Sequence, residues 1–320
     1  MNALPGLRQL RYLVALDDAR HFGRAAKNCH VTQSTLSAGI KELETQLGVT
    51  LVDRSRRRAA LTALGAEAVL RARRMLAEAA DLVEAMRGAA EPLTGTLRLG
   101  VIPTVGPFLL PRTLPGLRRA FPRLKLYLTE DLTERLVDQL EAGRLDAVVL
   151  ALPCDCGPIE VHPLFEDRFS LALRPDHSLA HARRISRRQL EGQTLLLLAD
   201  GHCLRAQALE ACALVDNRAH DSFAATSLHT LVQMVENGLG ITLLPALAIE
   251  AGILKGTQLT TRPLEGAAAH RIVGLGWRKG SPRTAEFALL GRWLARHQTQ
   301  DAALGGKRGV KSRSGIDARR

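Results

Sequence analysis

Apolar positions recur with a helical period near the amino terminus. Residues 7–18 place Leu7, Leu10, Leu13, Val14 and Ala15 on one face. A second short helix fits Phe22–Cys29, where the small pair Ala25 and Ala26 allows close packing. His30-Val31-Thr32 breaks the pattern, and Thr32 predicts the N-cap of a third helix running to about Leu47. Its inward positions are Leu36, Ile40, Leu43 and Leu47, and Gly48 supplies a stop. Leu51–Thr62 reads as two short extended pieces around Arg54-Ser55-Arg56-Arg57-Arg58. Thr62 caps a further helix over residues 63–90, with a stripe of Ala66, Val69, Leu70, Arg73, Leu76, Ala80, Val83 and Met86. Such a helix is about 42 Å long and cannot bury its stripe alone, so a partner helix is expected.

The pattern then changes. Pro92–Gly95 is a break. Leu97–Ile102 reads as a buried strand ending in Pro103-Thr104, followed by a helix over Leu109–Phe121 and a strand over Leu124–Thr129. A helix over Leu132–Ala142 and a strand over Asp146–Leu152 follow. This alternation predicts a parallel α/β sheet. The run Leu140–Val149 is echoed by Val235–Leu244: in both, a helix ends at a glycine and a β-branched strand follows. Two similar α/β subdomains with a cleft between them are the natural reading. Ligands in such folds sit beyond the carboxyl ends of strands, which puts Thr104 and the loop after Leu198 near the cleft.

Composition narrows the class. The 320 residues are 46% hydrophobic and 24% charged, which suits packed domains, and no apolar run reaches the ~18 residues of a membrane span. The start, Met1-Asn2-Ala3-Leu4-Pro5, lacks an export pattern, so a cytoplasmic, reducing location is expected; a structural disulfide framework for the five cysteines is disfavoured, and redox or metal roles stay open. No cofactor and no metal site are expected. The net charge of +12 is uneven: residues 1–62 hold ten Lys/Arg against five Asp/Glu, and residues 299–320 hold six against two. A polyanionic partner for the amino terminus fits this, as does plain solubility.

Two short helices joined by a tight turn make a helix-turn-helix. Gln33, Ser34, Thr35, Ser37 and Lys41 then lie on the outer face of the second of them, where Gln pairs with adenine edges and hydroxyls reach bases or phosphates. Arg54, Arg56, Arg57 and Arg58 form a basic wing suited to phosphates. A solvated polar helix end is the competing reading.

In the second half, Asp200-Gly201-His202-Cys203-Leu204-Arg205 follows the strand expected at Thr194–Ala199 and opens a helical pattern. Cys203 therefore sits near a helix N-terminus, with His202 and Arg205 beside it, and each of these favours a thiolate. Cys212 lies nine positions on, a rise of about 13.5 Å if the helix continues. A disulfide needs Cα atoms roughly 4.4–6.8 Å apart, so the pair cannot bond on an intact helix, and bonding would refold the segment. Two buried apolar cysteines are the competing reading.

The N-terminal third resembles the LysR-type family of bacterial transcription regulators, through Phe22 to Ala26, Val31 to Ser37, Ile40 to Glu44, Leu47-Gly48, Leu51 to Arg54, and Thr62 with Gly65. Residues 96–298 are similar to the OxyR peroxide sensors within that family. Gly100 to Pro107, Asp200 to Arg205, Phe223 to Leu228 and Gly240 to Ala246 carry that likeness. The resemblance implies an α/β fold: an N-terminal winged helix-turn-helix (1–62), a long linker helix for dimerisation (63–91), and a two-subdomain effector domain like a periplasmic binding protein (92–298). Subdomain I would comprise about 92–165 and 269–298, subdomain II about 166–268, and 299–320 a basic, disordered tail. The resemblance also implies that Cys203 is the peroxidatic and Cys212 the resolving cysteine. Thr104 and Thr133 would hold peroxide and water, His202 and Arg205 would flank the nucleophile, and Arg271 would stand near it in the reduced form.

The implied function is a peroxide-responsive regulator and not an enzyme. Its implied partners are double-stranded promoter DNA, hydrogen peroxide, RNA polymerase, cellular thiol reductants and further copies of itself as a dimer of dimers, with no membrane. A LysR-type regulator sensing a small metabolite, and a thiol peroxidase, are the alternatives. The second lacks a CxxC motif and leaves the N-terminal third unexplained. Cys154-Asp155-Cys156 departs from the family pattern; two thiols at that spacing can bind metal or oxidise, and a plain loop is the expectation.

Overall fold

Three helices begin the computed structural model: α1 (Leu7–Ala19), α2 (Phe22–Asn28) and α3 (Gln33–Leu47). The structure describes residues 4–53, 60–88, 92–154, 156–212, 225–266 and 269–298. Local chemistry sets the helix ends. The His21 ring accepts from the backbone of Gly23 and Arg24 and caps α2. Thr32 Oγ1 accepts from Thr35 N–H and caps α3. Gly48, at φ +69°, ends it.

Antiparallel strands β1 (Val52–Asp53) and β2 (Ala60–Leu61) form the wing, and Glu44 of α3 anchors its start by accepting from Leu51 and Val52 N–H. Helix α4 (Ala63–Gly88) follows. Gly65 in its first turn is required sterically, because a Cβ there would lie 2.0 Å from the Leu51 carbonyl oxygen. Leu13, Leu16, Leu36, Ile40, Leu43 and Val69 share one core, so the beginning of α4 packs with the winged domain.

The stripe expected on α4 proves to be two faces. Val69, Arg73 and Leu76 turn toward the chain, and Arg73 is buried because it pairs with Asp17 (2.9 Å) and Asp18 (2.6 Å) of α1. Leu70, Val83 and Met86 of the same stripe, together with Leu82, stay exposed.

The remaining elements build two lobes. In chain order they are β3 (Gly95–Val101), α5 (Gly106–Ala120), β4 (Leu124–Glu130), α6 (Thr133–Glu141), β5 (Ala147–Leu152), β6 (Ile159–Leu173), α7 (Cys203–Cys212), α8 (Leu228–Glu236), β7 (Thr242–Pro245), α9 (Ala246–Glu250), β8 (Thr260–Pro263), β9 (His270–Arg278) and α10 (Thr284–His297). The sheet order is β4-β3-β5-β9-β6-β7, with β8 also paired to β6.

The sheet is mixed, which corrects the parallel expectation. β3 pairs in parallel with β4 and β5, while β9 runs antiparallel to β5 and β6. The cause is a chain path that crosses to the second lobe along β6 and returns along β9. Pairing along β6 shifts register between Pro163 and Phe165, which breaks the period-2 signal a strand would otherwise show. The strand expected at Thr194–Ala199 survives only as isolated bridges from Leu195 to Ile241 and from Leu198 to Ala225. The Leu196 carbonyl accepts from the Thr242 hydroxyl instead (2.8 Å).

The echoed motif is real in three dimensions. Gly143 (φ +68°) follows α6 and Gly238 (φ +77°) follows α8, each turning the chain into a buried strand.

Candidate functional site

Cys203 is the first residue of α7, and the turn ahead of it depends on Gly201 at φ +89°. A Cβ on Gly201 would approach Leu132 to 2.9 Å, so this loop of the second lobe lies directly on the start of α6. A cleft of about 630 Å3 opens between α6 and α7, and Thr133, Asp138, Cys154, His202, Cys203 and Arg205 are among its walls.

Within it, the charges are arranged differently from the sequence expectation. Arg205 is already engaged, with Asp200 at 3.0 Å and the Leu198 carbonyl at 3.2 Å. Burial holds His202 below the usual histidine range, so its ring is neutral at neutral pH. Thr133 contributes a buried hydroxyl that has no hydrogen-bond partner among the described residues.

Cys212 closes the same helix and is buried (2% exposed). Burial pushes its thiol up to about 11, although Arg187 nearby opposes the shift. Arg187 also donates to the Ala211 carbonyl and so ties down the end of α7, a contact sequence reasoning missed. Both Cys203 and Cys212 are free thiols. They stand at the two ends of one unbroken ten-residue helix, which sets their Cα positions about 13.5 Å apart along its axis.

Thr104 and Arg271, expected beside the reactive cysteine, do not line this cleft. They form a buried network of their own. Arg271 Nη1 donates to Thr104 Oγ1 (2.8 Å), Nη2 to Thr104 O (3.0 Å) and Nε to Asp167 Oδ2 (3.0 Å). The other Asp167 oxygen accepts from Leu247 N–H (2.9 Å) at the start of α9. All three side chains are buried. Asp167 was invisible in the sequence, since Glu166 and Arg168 beside it make it look like part of a solvated charge run.

Cys154 and Cys156 are joined by a disulfide with Cα atoms 5.3 Å apart, which replaces the expected plain loop. Among the described residues, no group of three or more His, Cys, Asp or Glu could hold a metal ion, and no helix is long and apolar enough to cross a membrane.

At the other end of the molecule, Gln33, Ser34, Thr35 and Lys41 are exposed on α3, and Ser37 is half-buried. The Ser34 and Thr35 hydroxyls lie 2.9 and 2.8 Å from Thr32 Oγ1, engaged with the cap. Arg54, Arg56, Arg57 and Arg58 lie outside the described residues, as does the basic tail.

Two connections run between these ends. Helix α6 carries the cleft residues at its start, and its last residue, Glu141, pairs with Arg74 of α4 (2.8 Å). Arg278 donates to the Leu140 and Leu145 carbonyls and pairs with Asp81 of α4 (2.5 Å).

A winged helix-turn-helix tied by one long helix to a two-lobed domain, with a thiol at the mouth of the interlobe cleft, defines a DNA-binding regulator with its own sensor domain. The chain belongs to the LysR family of bacterial regulators. The family's helix-turn-helix matches residues 7–66, and the LysR substrate binding domain matches residues 90–299. The chain is 43% identical to the transcriptional regulator EstR of Acinetobacter baylyi, over 91% of this chain and 96% of that one. It is 41% identical to a hydrogen peroxide-inducible genes activator of Dickeya chrysanthemi, over 91% and 95%. A full-length OxyR variant from Pseudomonas aeruginosa matches in structure with a TM-score of 0.75 and 35% identity, over 91% of this chain and 98% of that one.

Proposed function

We propose that this chain is a peroxide-responsive, DNA-binding transcription regulator whose sensor is Cys203. The observation that carries the reading is that Cys203 shares an open interlobe cleft with Thr133, whose hydroxyl has no hydrogen-bond partner among the described residues. Hydrogen peroxide is small, and a hydroxyl without a protein partner can orient it for attack by sulfur. The Cys203 thiolate attacks one peroxide oxygen and forms a sulfenic acid as hydroxide leaves. Cys212 then attacks the Cys203 sulfur and water departs, leaving a Cys203–Cys212 disulfide. Since α7 holds the two apart, this bond requires that helix to unwind. Loss of α7 removes a wall of the cleft from α6, and α6 reaches α4 through Glu141–Arg74 and Arg278–Asp81. Arg73 continues the route to α1 through Asp17 and Asp18.

The protein acts as a switch and not as an enzyme. Cellular thiol reductants reset it, promoter DNA and RNA polymerase are its partners in the cytoplasm, and the exposed face of α4 pairs with a second copy within a dimer of dimers. Thr133→Val tests the positioning role cleanly, because the Thr133 hydroxyl has no hydrogen-bond partner among the described residues. It should leave the fold intact and slow Cys203 oxidation on the order of ten- to a hundred-fold. Stopped-flow loss of the Cys203 thiol measures this, and an unchanged rate would show that the hydroxyl does not orient peroxide.

DNA recognition divides between base readout and charge. Gln33→Ala should relax discrimination at one base position by about 1–3 kcal/mol. Arg57→Ala should weaken binding to specific and random DNA alike and flatten the salt slope by about one unit. Binding isotherms at several salt concentrations separate the two. Equal losses on both DNAs for both variants would refute the division.

A further inference from the structure

Cys154 lines the cleft that holds Cys203, while its bonded neighbour Cys156 is buried behind it (5% exposed). Helix α7 is tied to this spot: Gln207 Nε2 donates to the carbonyl of Leu152 (3.4 Å), two residues before Cys154. Two cysteines therefore line one cleft, with Cys156 bonded to one of them, and because Cys154 lies outside α7 a Cys203–Cys154 bond does not by itself require that helix to break. Reaching Cys212 does.

We propose that Cys154 and Cys156 form a second redox couple that resolves oxidised Cys203 ahead of Cys212, so that the Cys203–Cys212 switch fires only once this couple is spent. The proposal rests on the reading of Cys203 as the peroxide-reactive thiol.

The Cys203 thiolate takes one oxygen from H2O2; the O–O bond breaks and hydroxide leaves, taking up a proton as water. The Cys154 thiol attacks the Cys203 sulfur; an S–S bond forms, the S–O bond breaks, and hydroxide leaves with the thiol proton as a second water. The Cys156 thiolate then attacks the Cys154 sulfur and expels Cys203 as its thiolate. Two electrons pass from the Cys154–Cys156 dithiol to one peroxide, and Cys203 is restored. The sulfur on the cleft wall, half-buried Cys154, is the one attacked, and the buried Cys156 closes the ring. One peroxide is thus consumed per chain before the Cys203–Cys212 bond can accumulate.

The test uses the full-length protein, fully reduced, freed of reductant and titrated with H2O2, with bridges mapped by alkylation and mass spectrometry. The 154–156 bridge should form with the first equivalent and the 203–212 bridge only after it. Cys156→Ser should trap a 154–203 bond. The double variant Cys154→Ser with Cys156→Ser should form the 203–212 bridge at the first equivalent, lowering the peroxide needed about two-fold. Two results would overturn the proposal: a 203–212 bridge forming first in the unmodified protein, or a 154–156 bridge forming at an undiminished rate in Cys203→Ser. If the double variant forms no sulfenic acid at Cys203 at all, the reading of Cys203 itself falls; if it does form one but the couple never takes part, only the present proposal falls.

Discussion

Cys203→Ser is expected to abolish the response to peroxide outright: no sulfenic acid, no 203–212 bridge, and a DNA footprint identical with and without oxidant. The reason is positional. Cys203 stands at the cleft, half-buried, whereas Cys212 is enclosed at the far end of α7 with a thiol pushed up to about 11. At pH 7 a thiol of that kind is ionised to roughly one part in ten thousand, and the thiolate is the reacting form. Cys212 is therefore not expected to substitute for Cys203. The converse variant, Cys212→Ser, should keep the first step and lose the 203–212 bond, so that sulfenic acid forms at Cys203 and α7 stays wound. Amide exchange across residues 200–212 reads the difference: faster exchange in oxidised unmodified protein, no change in oxidised Cys212→Ser. Unchanged exchange despite a 203–212 bridge would mean that α7 is not a helix in the reduced protein in solution.

Arg271→Ala is expected to destabilise the effector domain by about 3–5 kcal/mol, because it strands a buried carboxylate. Arg271 is fully buried on β9 and Asp167 on β6, the two strands that pass between the lobes. Their ion pair (2.9 Å) is completed by Thr104 from the first lobe and by Leu247 N–H from the second. Truncating the arginine leaves Asp167 with one backbone donor and no counter-charge. Replacing both charged partners, as Arg271→Met with Asp167→Asn, should recover a good part of the loss, since no buried charge remains. Urea denaturation measures it: the midpoint should fall without a change in slope. A loss below about 1 kcal/mol would show that the pair is solvated in solution and does not bolt the lobes. The same network makes Thr104→Val an unclean probe of peroxide binding, because Thr104 Oγ1 accepts from Arg271.

The sequence was most legible where one period ruled. The helices α1 to α4, the wing strands and the repeated helix–glycine–strand turns all follow from apolar spacing and caps that operate within a few residues. It was least legible where tertiary contacts overrode the period. The register shift in β6 hid a long strand, and with it the mixed character of the sheet. Arg73 sat in an apolar stripe because two aspartates of another helix neutralise it, which no spacing rule reveals. At the site, the position of Cys203 at a helix start was readable, while the engagement of Arg205 by Asp200 and the neutrality of His202 depend on burial and on loop geometry. Cys154 and Cys156 stood out as a spacing without a family counterpart, and only the fold brings Cys154 to the wall of the Cys203 cleft.

The central claim is that oxidation of Cys203 changes how the winged domain meets DNA. A footprint on the protein's own upstream DNA, in reducing buffer and after peroxide, for the unmodified protein and for Cys203→Ser, tests it most directly. Peroxide should alter the protected region for the unmodified protein and leave the Cys203→Ser footprint as it was. A peroxide-dependent change that persists in Cys203→Ser, or none in the unmodified protein once its 203–212 bridge has formed, would contradict it.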